Sequence, residues 1–493
     1  MILRLRGSSA VAVAFVVPLV VLLASVRTEV GSWDTADLQT VAWIGGIPYP
    51  TGFPGYVLVG WVWTHLLPLG SVAARLNALS AFAIAGGAAT ITALALLLEV
   101  TPLLAILAGW TFAFAHPVWT RGTYADAHPL GFAVAFLAVA LAVRWSRLGD
   151  RRALGWAIVL GGLAIALDNT TVLILPGGIV AACARRPPLG RVLAATGVAA
   201  LLVVAAYAYL PLRSAQVTAA RRDPTLALGI PPGRPFWDDH HPASPDGFRA
   251  LVTGSEWGPG GTVGRLLTPD SVSATLARFG PELDEDLPQG LLVAAAFGLL
   301  AIIVDAPLIG AGLLLAALPA PLFGGSYAAE ADPDRYVFVL YAVSALGIAV
   351  AAERARRAFE RDAPQTAAVV IAGLLALAVL RDLTRGGDIL AARSSRDAAE
   401  LARRVAAGTR DDAVVVTVWN FATTLGYDAY VERRFGHRIV VCAFPTDYRD
   451  LYAGWLREHR QLVVVNPGEP AIPGFRTRLL VGGYPAVYEV LPP

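Results

Sequence analysis

Apolar residues in this chain come in long runs separated by short polar segments, the pattern of a protein that crosses a membrane many times. A span needs about 20 mostly apolar residues. Runs near that length lie at 10–27, 74–98, 103–118, 129–145, 153–168, 170–184, 191–210, 288–304, 306–323, 335–353 and 366–381, which predicts about eleven transmembrane helices. The stretch 53–69 is apolar but short and broken by Pro54 and Pro68. We expect it to form a re-entrant or interfacial helix that does not cross. The first run follows Arg4 and Arg6 but lacks a small-x-small cleavage site, so an uncleaved span is expected rather than a signal peptide.

After residue 381 the pattern changes. AVVVTVW (413–419), RIVVCAF (438–444) and QLVVVN (461–466) are short β-type runs, with amphipathic stretches at 420–435 and 446–459 between them. That alternation predicts a soluble α/β domain at 382–493, following a membrane domain at 1–381.

Arginine clusters orient the chain. They lie at 144–152, 184–191 and 354–361, and the positive-inside rule puts them in the cytoplasm. The loops at 28–73, 119–128, 211–287 and 324–334 then fall outside, as does the C-terminal domain. This predicts a multi-pass plasma-membrane protein whose conspicuous acids share one extracytoplasmic face. By the same reasoning Cys183 and Cys442 face opposite compartments and cannot bond.

Composition narrows the chemistry. The chain has 493 residues, 56% hydrophobic and only 15% charged, against about 25% charged in soluble domains; its mean hydropathy is +0.58. The net charge of +2 gives no basis for a nucleic-acid partner. All basic residues are Arg, which excludes a Walker A lysine and a Schiff-base lysine. With abundant Ala, Arg and Gly, the composition points to a GC-rich bacterial coding sequence.

Candidate chemistry begins in SWDTADLQTVAWIGGIPYPTGFPGYVL (32–58). Asp34 and Asp37 are three apart and would share a helix face. Such a pair can hold a divalent cation, Mg or Mn, or one member can act as a base. The plainer reading makes Asp34 the N-cap of the helix. YPTGFPGY (49–56) is stiff, and either preorganises a site or starts an interfacial helix with Tyr49, Phe53 and Tyr56 as aromatic belt. Arg75, near Asn77 at the start of a span, either snorkels to headgroups or clamps a phosphate. Asp168 and Asn169 are read first as the tip of a tight hairpin and otherwise as an intramembrane polar site. FWDDHHPASPDGF (236–248) offers Asp238, His240 and His241 as weak metal ligands. Arg335 in DPDRYVF pairs either with a lipid phosphate or with one of the acids.

In order along the chain, Asp34 to Asp37, PTGFP (50–54), LPLG (67–70), RLNALSA (75–81), YLPLR (209–213), FWD (236–238) ahead of VTG (252–254), DRY (334–336) and the tail from Ala413 resemble the protein O-mannosyltransferase-like membrane proteins of the GT-C superfamily. The chain departs from that pattern at Asp37 (usually Glu), at Tyr49 (usually His), at TYADAH near Tyr124 and at Asp168-Asn169, where the family has Asn-His.

The resemblance implies a GT-C-like polytopic helical fold. It also implies transfer of a sugar, mannose among the candidates, from a polyprenyl-phosphate donor to a protein or glycan acceptor outside the cytoplasm. Asp34 would be the base, with Asp37 assisting or binding metal. Arg75, Arg213 and Arg335 would hold the departing phosphate. Asn77, Tyr124, Asp126, His128 and Trp237 complete the expected substrate-binding set, and membrane lipids the expected partners. Competing expectations are a lipid or solute transporter, for which no inverted repeat is visible, and a non-catalytic glycan-binding relative.

Overall fold

The computed structural model describes residues 2–233, 237–255, 268–326, 333–359 and 364–493. Phe236 of the FWD motif and residues 327–332 of the 324–334 loop lie outside this set.

The chain opens with α1 (Ile2–Ser25), α2 (Trp33–Ile44), α3 (Pro54–Leu66) and α4 (Val72–Leu97), followed by α5 (Pro102–Phe114), α6 (His116–Arg121), α7 (Ala127–Leu148) and α8 (Arg151–Leu167). A 3-10 turn at Asn169–Leu173 leads into α9 (Leu175–Ala182) and then the long α10 (Leu189–Ala219). Next come α11 (Pro245–Thr253), α12 (Pro269–Asp286), α13 (Gln289–Asp305), α14 (Pro307–Ala317), α15 (Pro319–Ser326), α16 (Phe338–Ala358) and α17 (Pro364–Arg385). The C-terminal part adds α18 (Gly387–Ala392), α19 (Asp397–Gly408), α20 (Trp419–Tyr430) and α21 (Arg449–Arg457) around a sheet.

Among the described residues six helices are long and apolar enough to cross a membrane, or seven if the bent pair α12–α13 is one span. Helices α4, α7 and α16 form the buried centre, whereas α10 is mostly exposed and turns Val198, Leu201 and Val204 outward. An apolar exterior of this kind suits lipid. Small residues let helix backbones meet: a Cβ on Gly298 of α13 would collide with the Gly347 carbonyl of α16. The stretch 53–69 holds only the 13-residue α3, about 20 Å long and too short to span.

Helix α7 gives the bundle its polarity. Asp126 caps its first turn by accepting from the His128 N–H at 2.9 Å. Arg144 and Arg147 lie near its other end, about 25–30 Å away. Those arginines pair with Asp150 and Glu99, and Arg357 at the end of α16 also reaches Glu99. One end of the bundle is thus arginine-lined, and Asp126 lies at the other.

The three β-type runs become β1 (Val414–Thr417), β2 (Ile439–Cys442) and β3 (Leu462–Asn466), all mutually parallel. Two further strands, β4 (Arg476–Val481) and β5 (Ala486–Leu491), extend the sheet antiparallel, in the order β2-β1-β3-β5-β4. The parallel strands are buried on both faces and read as unbroken Val/Leu/Ile runs. Helix α20, which follows β1, packs on α2, and two contacts fix it there: the Tyr427 hydroxyl accepts from Ala73 N–H at 3.0 Å, and Thr424 donates to the Gly31 carbonyl. The C-terminal sheet is thereby tied to the Asp126 end of the bundle.

Candidate active site

Asp34 lies in the first turn of α2, where the helix dipole favours a negative charge. The cap position belongs to Ser32, which makes no side-chain cap bond. Asp34 is therefore not the N-cap, and its carboxylate faces away from its own helix. Arg335 places two guanidinium nitrogens 3.3 and 3.4 Å from Asp34 Oδ2. Trp419, at the start of α20, donates its indole N–H to Oδ1 at 3.1 Å. The Asp34 side chain is 31% exposed and that of Arg335 9%. An accessible carboxylate thus sits against a nearly buried cation, and Asp34 is one of the acids expected to pair with Arg335.

Asp37 lies one turn on and is fully buried. Its Oδ2 accepts the Tyr49 N–H at 3.3 Å, while Oδ1 has no partner. Burial, then the charges of Asp239 and Asp34, push its pKa well above the usual carboxylate range. The stiff segment 49–53 folds back over α2, so that the Tyr49 ring contacts Phe53 (5.2 Å) and Trp419 (6.1 Å).

Behind this wall lies a buried charge network. Asp126 accepts from Arg121 at 2.9 Å through Oδ2, and through Oδ1 it meets His128 Nδ1, also at 2.9 Å. An ionised carboxylate in that position makes Nδ1 the protonated nitrogen. Nε2 then faces Asp168 Oδ2 at 3.8 Å. Burial raises the pKa of Asp126, but His128, Arg121 and Arg335 outweigh it and hold the group below the ordinary carboxylate range. The His128 ring also contacts Phe53, Phe132 and Tyr336. Next to the Phe132 ring, a small apolar pocket lies between α4, α5, α7 and α16, lined by Ile84, Phe112, Phe132, Phe136, Phe338 and Ala342.

The remaining expected residues lie elsewhere. Arg75 donates to the carbonyls of Thr64 and Leu67 at the end of α3 and lies over the Trp43 ring. Arg213 donates to the carbonyls of Ile44 and Gly45 (3.0 and 2.5 Å) at the C-terminus of α2, the end opposite Asp34. These two arginines satisfy helix-end carbonyls, and only Arg335 of the three reaches Asp34. Asn77 is a buried hub that accepts from Gln39 and Ala125 N–H and donates to the Arg27 carbonyl. Tyr124 is stacked under Arg27 and Arg121. Trp237 packs on Tyr430 at 4.3 Å and accepts from Ile47 N–H. All three serve the scaffold around the cleft.

As placed here, Asp34 and Asp37 form no divalent-cation site: Asp34 is engaged by Arg335 and Trp419. Among the described residues no three His, Cys, Asp or Glu side chains converge as metal ligands. His240 and His241 are instead paired with Asp239 (3.0 Å) and Asp238 (3.3 Å).

Four site residues were absent from the sequence-based set. Tyr49 and Asp168 stood in quoted motifs, at positions where the resembled family carries other residues. Asp168 lies at the turn between α8 and α9, where its Oδ1 caps the 3-10 turn and its Oδ2 faces His128. Arg121 lies five residues before Asp126 with no pattern to mark it. Trp419 ends the quoted run 413–419 but lies 385 residues from Asp34, and nothing in that run points to the aspartate.

Residues 34–188 match the model of the protein O-mannosyl-transferase TMEM260 N-terminal domain. No curated protein sequence matches the chain. Among solved structures, ArnT from Cupriavidus metallidurans bound to undecaprenyl phosphate superposes with a TM-score of 0.57 at 13% identity, covering 99% of this chain and 97% of ArnT. The apo state of the same protein gives a TM-score of 0.52 at 15% identity, covering 98% of each chain. By sequence over residues 34–188 this multi-pass membrane protein resembles the protein O-mannosyl-transferase TMEM260 N-terminal domain, and over nearly its whole length it shares the fold of ArnT.

Proposed function

We propose that the protein transfers a sugar from a polyprenyl-phosphate donor to a hydroxyl of a protein or glycan acceptor, on the extracytoplasmic side of the plasma membrane. The observation that carries this reading is Asp34: an accessible carboxylate beside a nearly buried arginine, beneath a soluble domain. The architecture proposed with it is a membrane part, 1–381, built on the six or seven helices long and apolar enough to cross, and an extracytoplasmic α/β part, 382–493. Sidedness follows from the arginine-lined far end of α7 and α16.

In this reading the donor phosphate meets Arg335. The acceptor oxygen attacks the anomeric carbon and its proton passes to Asp34. The bond from that carbon to the phosphate oxygen breaks, and the electron pair leaves with polyprenyl phosphate. Arg335, already positioned, balances the charge that grows on the leaving oxygen. Asp34 and Arg335 hold each other in the resting site, so the donor phosphate replaces Asp34 as the arginine's partner and frees the carboxylate to act as base. The undecaprenyl phosphate in the ArnT structure supports a polyprenyl donor.

The test is transfer from lipid-linked sugars in membranes. Asp34→Asn should lower it by about 10²–10⁴-fold, the usual scale for a lost general base, with expression intact. Full transfer by that variant would sink the proposal.

A further inference from the structure

The hydroxyl of Tyr49 has no task in the structure described so far. Tyr49 is only 7% exposed, and its Oη is buried with no hydrogen-bond partner. Burying a hydroxyl without a partner is costly, so such groups call for an explanation. Packing does not supply one, because a phenylalanine ring would make the same contacts with Phe53 and Trp419. Nor is the ring loosely placed: the Tyr49 N–H is bonded to Asp37, which roots the residue beside the site.

The ring lies against Trp419, whose indole N–H is bonded to Asp34, the partner of Arg335. The charge of Asp34 acts most strongly on the hydroxyl, then those of Arg335, Asp126 and Asp37. Burial, followed by the Asp34 charge, pushes its pKa well above the ordinary tyrosine value. The phenol therefore stays protonated and presents a fixed O–H donor. The nearby carboxylates are already served, Asp34 by Arg335 and Trp419, Asp126 by Arg121 and His128. What the hydroxyl lacks is an acceptor, and the cation beside it selects a negatively charged one.

We propose that Tyr49 is a further catalytic residue, whose hydroxyl donates a hydrogen bond to a non-bridging oxygen of the donor phosphate alongside Arg335. The proposal rests on the polyprenyl-phosphate reading given above. Tyr49 gives up no proton; it stabilises the phosphate as the bond to the sugar breaks and the electron pair moves onto the leaving oxygen.

The experiment compares binding of polyprenyl phosphate and of the uncharged polyprenol to purified full-length protein, with sugar transfer and thermal stability measured on the same samples. In Tyr49→Phe the preference for the phosphate over the alcohol should fall about tenfold, the scale of one hydrogen bond to a charged group, and turnover should fall at least as far. The thermal midpoint should hold or rise, because an unpartnered hydroxyl has been removed. Tyr49→His, which restores a ring N–H donor, should recover part of the preference. An unchanged preference in Tyr49→Phe, or a lowered thermal midpoint with the preference intact, overturns the assignment while leaving the transferase reading standing. A wild-type protein that neither binds polyprenyl phosphate nor transfers sugar overturns both.

Discussion

At the cleft end of α7, Asp126, Arg121 and His128 are interlocked with side chains at most 5% exposed. At the far end of the same helix, Arg144 and Asp150 pair at the same 2.9 Å with side chains 52% and 29% exposed. Distance does not distinguish the two pairs; solvent does. A charge taken out of water must be compensated by its neighbours, and losing one partner strands the other. A charge left in water is screened and loosely held. The cleft end is thus organised by mutual dependence, whereas at the arginine-lined end each charge stands largely on its own.

The sharpest break in this comparison is Asp126→Ala. It strands Arg121 and His128 in the interior, and should lower unfolding stability by about 3–5 kcal/mol, read as a fall in the thermal midpoint in detergent. A smaller effect comes from Trp419→Phe, which keeps the ring against Tyr49 and removes only the N–H to Asp34. Sugar transfer should drop roughly tenfold, the worth of one charge-assisted hydrogen bond, while stability changes little.

The third test uses pH. Asp37 has a folded pKa raised above its ordinary 3.8, first by burial and then by Asp239 and Asp34. A raised carboxylate binds its proton more tightly folded than unfolded. Its stabilising contribution is therefore complete below the unfolded value and is lost as pH rises through the folded one. Asp37→Asn cannot ionise, so it should be more stable than wild type near neutral pH, with the advantage vanishing on acidification in a denaturation series. The smallest effect belongs to Arg144→Ala, which should shift stability by no more than about 1 kcal/mol. A large loss there would erase the contrast between the two ends.

Much of the scaffold was legible in the sequence. The runs that became α4, α7 and α16 are long and apolar because lipid and helix packing both demand it, and the Val-rich runs that became β1 to β3 are unbroken because both faces of a parallel sheet are covered. Strands β4 and β5 escaped notice: β4 is half-exposed throughout, so no apolar run marks it.

The cleft was legible in part. Asp34 and Arg335 each stood in a visible motif, but they lie 301 residues apart, and no local pattern encodes that meeting. Arg75 and Arg213 illustrate the converse problem. An arginine at the edge of a span looks equally suited to a phosphate and to the end of a helix. A sequence marks where helices stop, but only the fold decides which guanidinium lies over the exposed carbonyls.

Trp419 gives the molecule a temporal order as well as a spatial one. The indole that touches Asp34 leaves the ribosome long after the aspartate does, since 385 residues separate them. A nascent chain interrupted before residue 419 holds its aspartate with one wall missing. Closure around the Asp34 carboxylate thus waits for residue 419 to be made, and a copy cut short before it is a vessel without its cover.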